Sequence, residues 1–221
     1  MRVLVLGATG HIGLRLMETL ESTPGVLPSG ASRGRSMSPA GLDAMRVDTR
    51  DAASLAAALR GFDAVVNCVA GSAPAISEGS LRLVQACQSA GCARIVHLST
   101  MAVYGQAEGL VREDAPLDPG TGWYGRAKCE AETHLRSFAR AGGQTVILRP
   151  GCVFGPGSEL WVGRTGRWLQ SRRLGDLGPA GDGWSNLVHV DDVCQAVVAA
   201  LQLPFSPRQV MAINLDYFVG F

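Results

Sequence analysis

Residues 7–13 read Gly7-Ala8-Thr9-Gly10-His11-Ile12-Gly13 and connect a short apolar run, Arg2–Leu6, to a segment whose apolar residues have helical spacing, Ile12–Leu20. Glycines at these three positions would allow a tight turn, a close approach of the backbone to a pyrophosphate, and close packing of helix on strand. The N-terminus of that helix would offer unpaired N–H groups and a partial positive charge to phosphates. We therefore predict a dinucleotide-binding turn; the alternative is a turn with a purely structural role.

Apolar runs of strand length alternate with helical segments along the rest of the chain, which predicts right-handed crossovers and a parallel sheet covered on both faces. The predicted strands are Arg2–Leu6, a segment ending near Ser32, Met45–Val47, Ala64–Val69, Arg94–Leu98, Thr145–Leu148, Leu187–Val190 and Gln209–Leu215. The predicted helices are Ile12–Leu20, Ala52–Leu59, Ser80–Ala90, Trp123–Ala141 and Asp191–Leu201. The expected fold is a doubly wound α/β Rossmann domain that comprises residues 1–221 and binds ligands at the carboxyl ends of its strands.

The composition is that of a globular protein, with 47% hydrophobic and 18% charged residues among 221. A net charge of +1 gives no reason to expect nucleic acid or an anionic membrane as partner. The apolar runs are shorter than the ~20 residues of a membrane span, and the N-terminus does not read as a signal peptide. The six cysteines contain no C-x-x-C pair and are expected to be reduced and buried, not metal ligands. We expect a cytoplasmic protein without a metal site.

The chain has a single lysine beside 19 arginines, and this lysine follows a tyrosine by four positions in Tyr124-Gly125-Arg126-Ala127-Lys128. Residues at i and i+4 share a helix face. A nearby ammonium favours phenolate, so we expect the pKa of Tyr124 to lie below its reference of ~10 and Tyr124 to act as general acid or base. Lys128 could also donate hydrogen bonds to a nicotinamide ribose. The pair predicts hydride transfer to or from a nicotinamide.

The residues about 20 positions after the glycine turn indicate which nucleotide is bound. A site specific for NAD carries a carboxylate there, which accepts a hydrogen bond from the ribose 2′-hydroxyl. This chain instead reads Ala31-Ser32-Arg33-Gly34-Arg35. The guanidinium groups of Arg33 and Arg35 would bind a 2′-phosphate, so NADP is the predicted cofactor and NAD the second candidate. The alternative is a solvated basic loop.

Four segments form a set: the G-x-x-G-x-x-G turn, the Tyr124–Lys128 pair, residues 149–157 (Arg-Pro-Gly-Cys-Val-Phe-Gly-Pro-Gly) and residues 186–193 (Asn-Leu-Val-His-Val-Asp-Asp-Val). The set resembles the extended short-chain dehydrogenase/reductase superfamily and, within it, the NAD-dependent epimerase/dehydratase family. The resemblance implies that Asp48 contacts the adenine amino group, although an ordinary turn aspartate is the alternative. It also implies that Thr100 orients the substrate oxygen, with Ser99 as the alternative, and that residues 149–157 lie under the nicotinamide.

These arguments define a candidate site. The expected catalytic residues are Thr100, Tyr124 and Lys128. The expected cofactor contacts are Gly7, Thr9, Gly10, His11, Ile12, Gly13, Ser32, Arg33, Arg35, Asp48, Thr49, Ala70, Lys128 and Val153. The substrate is expected to lie against residues of about 151–186 and 203–221.

Departures from the family pattern restrict these expectations. Dehydratases of the family follow the threonine with an Asp-Glu pair that removes a hydroxyl, whereas Met101 and Ala102 stand here, which argues against sugar-nucleotide dehydration. The C-terminal substrate region is expected to be small or truncated. The apolar segment 216–221 reads as an interrupted element whose exposure would favour a homodimer. By composition, Asp191 is expected to cap the helix that it begins.

The sequence therefore predicts an NAD(P)-dependent oxidoreductase of the epimerase or reductase type. Tyr124 would exchange a proton with a substrate oxygen while hydride passes between the attached carbon and the nicotinamide. The substrate would be a sugar nucleotide or a small ketone. The alternative from another class is a protein that binds NADP without turnover, as a sensor or scaffold.

Overall fold

The computed structural model describes residues 1–34, 44–120, 122–182, 184–204 and 210–220. Its strands are β1 Arg2–Leu6, β2 Leu27–Ser32, β3 Met45–Arg46, β4 Ala64–Asn67, β5 Arg94–Leu98, β6 Gln144–Pro150, β7 Cys152–Phe154, β8 Trp184–His189, β9 Val210–Leu215 and β10 Tyr217–Gly220. Its α-helices are α1 His11–Glu21, α2 Ala52–Leu59, α3 Ala73–Ala90, α4 Gly122–Arg140, α5 Arg164–Gln170 and α6 Val190–Gln202. Shorter helical turns occupy Met101–Tyr104, Glu159–Gly163 and Gly178–Gly181. Within these ranges, no helix has the length and apolar character that crossing a bilayer requires.

The main sheet consists of seven strands in the order β3-β2-β1-β4-β5-β6-β9, and all its pairings are parallel. The chain winds outward from β1 to β3 and then returns to the other side of β1 with β4. The strand order thus reverses between β1 and β4, and ligands of such sheets bind at the carboxyl ends of the strands beside this point. The predicted Rossmann fold is confirmed.

Both faces of the main sheet are covered by helices. Val3 and Val5 of β1 belong to the apolar cluster beneath α1 and α6. Leu4 and Leu6 belong to the cluster beneath α2, α3 and α4. Because alternate residues of a strand point to opposite faces, a strand covered on both sides must be apolar throughout. This is why central strands such as β1 and β4 appear in the sequence as nearly uninterrupted apolar runs.

A second, smaller sheet has the order β10-β8-β7. Strand β7 pairs with β8 in parallel, and β10 pairs with β8 in the antiparallel direction. Residues 217–220, in the segment expected to be an interrupted element, pair through their backbone with residues 184–187. Phe221 lies outside the described residues.

Two helix starts differ from the prediction. Helix α3 begins at Ala73 and not at Ser80, because proline is tolerated in the first turn of a helix and Pro74 stands there. Helix α6 is capped by His189, whose Nδ1 accepts a hydrogen bond from the Asp191 N–H at 3.3 Å, so the predicted Asp191 cap is wrong. Asp191 lies in the first turn and pairs with Arg15 of α1 at 2.5 Å.

Candidate active site

A cavity of about 730 Å³ opens at the carboxyl edge of the main sheet. Its walls include residues that directly follow β1, β2, β3, β4, β5 and β6, together with residues of α4 and of the segment 157–161. A cavity of this size lies in the range of ligand and cofactor sites. The topology thus gathers loops that are far apart in sequence around one space.

The glycine turn follows β1 and lies in the middle of this cavity, between the residues after β2 and β3 on one side and those after β4 and β5 on the other. Gly7 has a φ of +78°, and its N–H donates to the Ala31 carbonyl at 2.9 Å, which ties the turn to β2. A Cβ on residue 13 would lie 2.1 Å from the Gly7 carbonyl oxygen, which is far too close. Because glycine has only a hydrogen at that position, α1 can pack closely against the turn. Gly10 precedes α1 and has no side chain with which to cap it. The N–H groups of the first turn therefore suit the pyrophosphate of a dinucleotide, and the chain fits that group.

His11, in the first turn of α1, also lines the cavity. Both of its ring nitrogens are buried without a hydrogen-bond partner in the part of the chain that the structure describes. Nδ1 lies 3.4 Å from where a Cβ on Gly157 would stand. Burial, and secondarily His189, lower the pKa of His11, so the imidazole packs as a neutral group.

One end of the cavity carries a cluster of charges after β2 and β3. Arg33 lines it, and Ser32 Oγ donates to the Gly34 carbonyl at 2.5 Å. Arg50 donates to Asp48 from Nε at 3.2 Å and from Nη2 at 3.0 Å. These bonds, with a smaller contribution from Arg33, lower the pKa of Asp48 to about 2. The predicted contact from Asp48 to adenine would thus be made by a carboxylate that Arg50 holds in place.

Tyr124 is half-buried and lines the cavity beside the residues that follow β5, at the end where the nicotinamide is expected. Burial raises the pKa of Tyr124, and a hydrogen bond with Thr100 opposes this shift. Lys128 Nζ lies 5.9 Å from the centre of the Tyr124 ring. The expectation that the ammonium would lower this pKa is therefore wrong, because loss of solvent has the larger effect. The phenol keeps its proton at neutral pH.

The structure distinguishes the two candidate hydroxyls after β5. Ser99 is buried, and its Oγ donates to Glu132 Oε1 at 2.7 Å. Both residues line the cavity, but it is Thr100 that is hydrogen-bonded with Tyr124, and its Oγ1 also accepts a hydrogen bond from the Ala102 N–H at 3.2 Å. The Thr100 hydroxyl is therefore the one placed beside Tyr124. Met101, like Ala102, is absent from the described cavity walls.

Lys128 reaches the cavity from α4 with a buried side chain. Its Nζ donates to the Leu98 carbonyl at 2.6 Å and, more weakly, to the Val69 carbonyl at 3.5 Å. Burial lowers the pKa of Lys128 to about 8. The ammonium is therefore held between the ends of β5 and β4.

A buried ion pair between Glu132 and Arg149 joins α4, the helix that carries Tyr124 and Lys128, to β6. Arg149 Nε and Nη2 donate to the two carboxylate oxygens of Glu132 at 2.9 and 2.6 Å, and both side chains are fully buried. Arg149 also donates to the Tyr104 hydroxyl, which in turn donates to Asn214 Oδ1 at 2.8 Å. The network joins α4, β6 and β9. Glu132 follows Lys128 by four residues, and this helical spacing was the signal by which the sequence could have revealed it.

Every predicted site residue that the structure describes lines the one cavity: Gly7, Thr9, Gly10, His11, Ile12, Gly13, Ser32, Arg33, Asp48, Thr49, Ala70, Thr100, Tyr124, Lys128 and Val153. Arg35 lies outside the described residues. The sequence analysis missed Arg50, Leu160 and Trp161, which also line the cavity. Arg50 stands two residues after Asp48 and could have been suspected from that position, whereas Leu160 and Trp161 belong to no motif.

Comparison with known protein families identifies the family to which the chain belongs. Residues 3–215 match the NAD-dependent epimerase/dehydratase family. The chain belongs to this family. The resemblance found in the sequence is thereby confirmed.

Similar proteins of the family include reductases and dehydratases. The 3-diazoavenalumate denitrifying reductase of a Streptomyces species is 32% identical over 91% of this chain and 72% of its own length. The 2-alkyl-3-oxoalkanoate reductase of Stenotrophomonas maltophilia is 30% identical over 90% of this chain and 64% of its own length. A double mutant of the dTDP-glucose 4,6-dehydratase DesIV from Streptomyces venezuelae, solved with NAD bound, has a TM-score of 0.82 and 25% identity over 100% of this chain and 77% of its own. Because a dehydratase is this similar, the comparisons do not support the exclusion of dehydration.

Proposed function

We propose that this chain binds NADP(H) and reduces the carbonyl group of a small molecule, with Tyr124 as proton donor. The observation that carries the proposal is one cavity lined by the Tyr124 and Thr100 hydroxyls, the Lys128 ammonium and a glycine turn that fits a pyrophosphate. Carbonyl reduction by hydride transfer requires a proton donor, a group that orients the substrate oxygen and a bound cofactor, all placed around one reacting carbon.

Each residue has a definite task in this reaction. A bound nicotinamide dinucleotide supplies the hydride that is added to the carbonyl carbon. The Thr100 hydroxyl holds the carbonyl oxygen, and Tyr124 gives that oxygen its phenolic proton, so that an alcohol forms. The positive charge of Lys128 stabilises the phenolate that remains.

Reduction is proposed above epimerisation and dehydration on the activities of the relatives that cover most of this chain. The phenol of Tyr124 holds a proton that it can give to a carbonyl oxygen. Dehydration stays a second candidate, because a dehydratase is among the similar structures. The two relatives named above as reductases add support.

The reaction is tested by following NADPH oxidation against a panel of ketones, aldehydes and 4-keto sugar nucleotides. Tyr124→Phe removes the phenolic hydroxyl that is the proposed proton donor and leaves the rest of the ring in place. We expect it to lower kcat at least 100-fold, the usual size of a general-acid contribution, and to leave the Kd for NADPH unchanged within about threefold. Undiminished turnover in this variant would contradict the assignment of Tyr124.

The preference for NADP rests on Arg33, with Arg50 beside it, at the end of the cavity where the adenosine ribose would lie. We expect Arg33→Ala to weaken NADPH binding about 10- to 100-fold, the value of a charge-assisted hydrogen bond, and NADH binding less than threefold. Arg60→Ala is the matched control, because Arg60 is exposed and does not line the cavity. Equal losses for NADPH and NADH, measured by fluorescence titration, would refute the preference.

A further inference from the structure

Three consecutive apolar residues are left uncovered in the turn Glu159–Gly163. Leu160, Trp161 and Val162 are 51%, 47% and 49% exposed. Neither this turn nor the helix α5 that continues it contains a buried residue. Exposed apolar side chains next to one another are uncommon on a soluble surface and mark places where something binds.

Two of these residues belong to the candidate active site. Leu160 and Trp161 line the same cavity as Tyr124 and Thr100. Trp123 adds an apolar surface next to Tyr124 but outside the cavity walls: its ring is 58% exposed and meets the Tyr124 ring edge-on at 5.7 Å. A molecule whose carbonyl lies at the two hydroxyls therefore extends toward apolar walls.

The charges near these walls are already engaged. The carboxylate of Glu159 is paired with Arg167, and the Lys128 ammonium is bound to the Leu98 carbonyl. The charged side chains Arg33, Asp48 and Arg50 belong to the opposite end of the cavity, after β2 and β3. Among the described wall residues on this side of the cavity, the cation is Lys128, whose Nζ already donates to the Leu98 and Val69 carbonyls, and no arginine stands there to bind a diphosphate.

We propose that Leu160 and Trp161 form an apolar subsite, and that the substrate is a ketone or aldehyde carrying an alkyl or aromatic group, not a nucleotide-linked sugar. The proposal rests on the proposed reductase function and names its substrate class. The apolar group packs against Trp161 while the carbonyl oxygen meets Tyr124 and Thr100. Burial of methylene groups supplies the affinity, and the hydroxyls supply the orientation.

The test is a series of methyl ketones from butan-2-one to nonan-2-one, titrated calorimetrically into the protein saturated with NADP⁺. We expect affinity to rise about fourfold per methylene until the subsite is filled. UDP-glucose, the probe for a nucleotide-linked sugar, is expected to bind more weakly than nonan-2-one. Trp161→Ala should weaken nonan-2-one about tenfold and butan-2-one less than threefold.

Trp168→Ala is the matched control. Trp168 is 41% exposed, lies in α5 under the Arg164 guanidinium at 5.2 Å, and does not line the cavity. It should leave the whole series unchanged. Tighter binding of UDP-glucose than of every ketone would overturn the subsite, and so would a loss in Trp168→Ala equal to that in Trp161→Ala.

Failure of the subsite and failure of the reductase function give different results. If NADPH is oxidised by carbonyl compounds but affinity does not depend on chain length, the reduction stands and the subsite is wrong. If affinity rises with chain length but no ketone is reduced, the subsite stands and the reduction is wrong. If sedimentation velocity shows a dimer that Trp161→Ala dissociates while ketone affinities stay the same, these residues form a subunit interface and the subsite is overturned.

Discussion

At the scale of single residues, Lys128 shows that the site is built at the expense of stability. Its pKa in the folded protein, about 8, lies below the 10.5 of a free lysine because the ammonium is buried. Between these two values the unfolded chain binds more protons than the folded one. The contribution of this group to stability therefore rises as the pH rises through that window, and at neutral pH the buried charge is destabilising.

This argument predicts that Lys128→Met, which keeps the length of the side chain, unfolds at higher urea concentration than the wild type at pH 7. The expected gain is about 2 kcal/mol, less than the full shift because the bond to the Leu98 carbonyl is lost. The gain should shrink between pH 8 and pH 10. Urea unfolding curves at four pH values in this range measure it, and a difference independent of pH would contradict the explanation.

For single residues, the sequence predicted positions in the site well and their electrostatics poorly. The positions of Tyr124 and Lys128 follow from spacing along a helix, which the sequence contains in full, whereas that of Thr100 was implied by the family resemblance. The direction of the Tyr124 pKa does not follow from spacing, because it depends on how much solvent the surrounding loops exclude. Arg50 was missed for a similar reason: its partner Asp48 is two residues away, but the cavity that they share needs the folded sheet.

At the scale of elements, the Glu132–Arg149 pair fixes α4 against β6. A buried ion that loses its partner is left uncompensated, at a cost of about 3–5 kcal/mol, whereas replacing both ions with apolar groups costs much less. We therefore predict that Glu132→Leu and Arg149→Met each destabilise the protein by about 3 kcal/mol or more. The double variant should lose at least about 2 kcal/mol less than the sum.

A double-mutant cycle from chemical unfolding measures this coupling. Arg82→Met is a suitable control, because Arg82 lies on α3 and its recorded contact is a hydrogen bond to Gln85 on the surface. Its effect should add to that of Glu132→Leu. Additive effects of Glu132→Leu and Arg149→Met would show that the pair does not act as a unit.

The elements themselves were predictable where one physical rule dominates. Strands buried on both faces must be apolar, and this rule located the central strands β1, β4, β5 and β6, with ends in error by a few residues. It does not apply to β2 and β3, which are partly polar and partly exposed. The start of α3 was not found, because Pro74, Ser77 and Gly79 read as a loop until Ile76 is seen to be buried. Strand β10 was not found either, although Tyr217, Phe218 and Val219 are residue types that favour strands, because its partner β8 lies about 30 residues earlier in the chain.

At the scale of the whole molecule, the cavity joins the ends of six parallel strands, so a ligand that fills it connects most of the fold. Binding to the folded state alone stabilises it by about 2.7 kcal/mol at 100 times the Kd. For a chain of this length we predict a rise in Tm of about 5–10 °C with saturating NADPH. Differential scanning fluorimetry measures the shift. Arg33→Ala should abolish most of it at the same NADPH concentration and leave the Tm of the free protein unchanged.

The absence of buried residues in the segment 159–170 has a consequence for how this protein can change over time. Substitutions there remove no core contacts, so their effect on folding is small. The proton donor, the lysine and the glycine turn stand on elements that the core holds rigidly. New substrate preferences can therefore arise by exchange of this one surface segment, in natural divergence or in directed evolution, while the chemistry stays where it is.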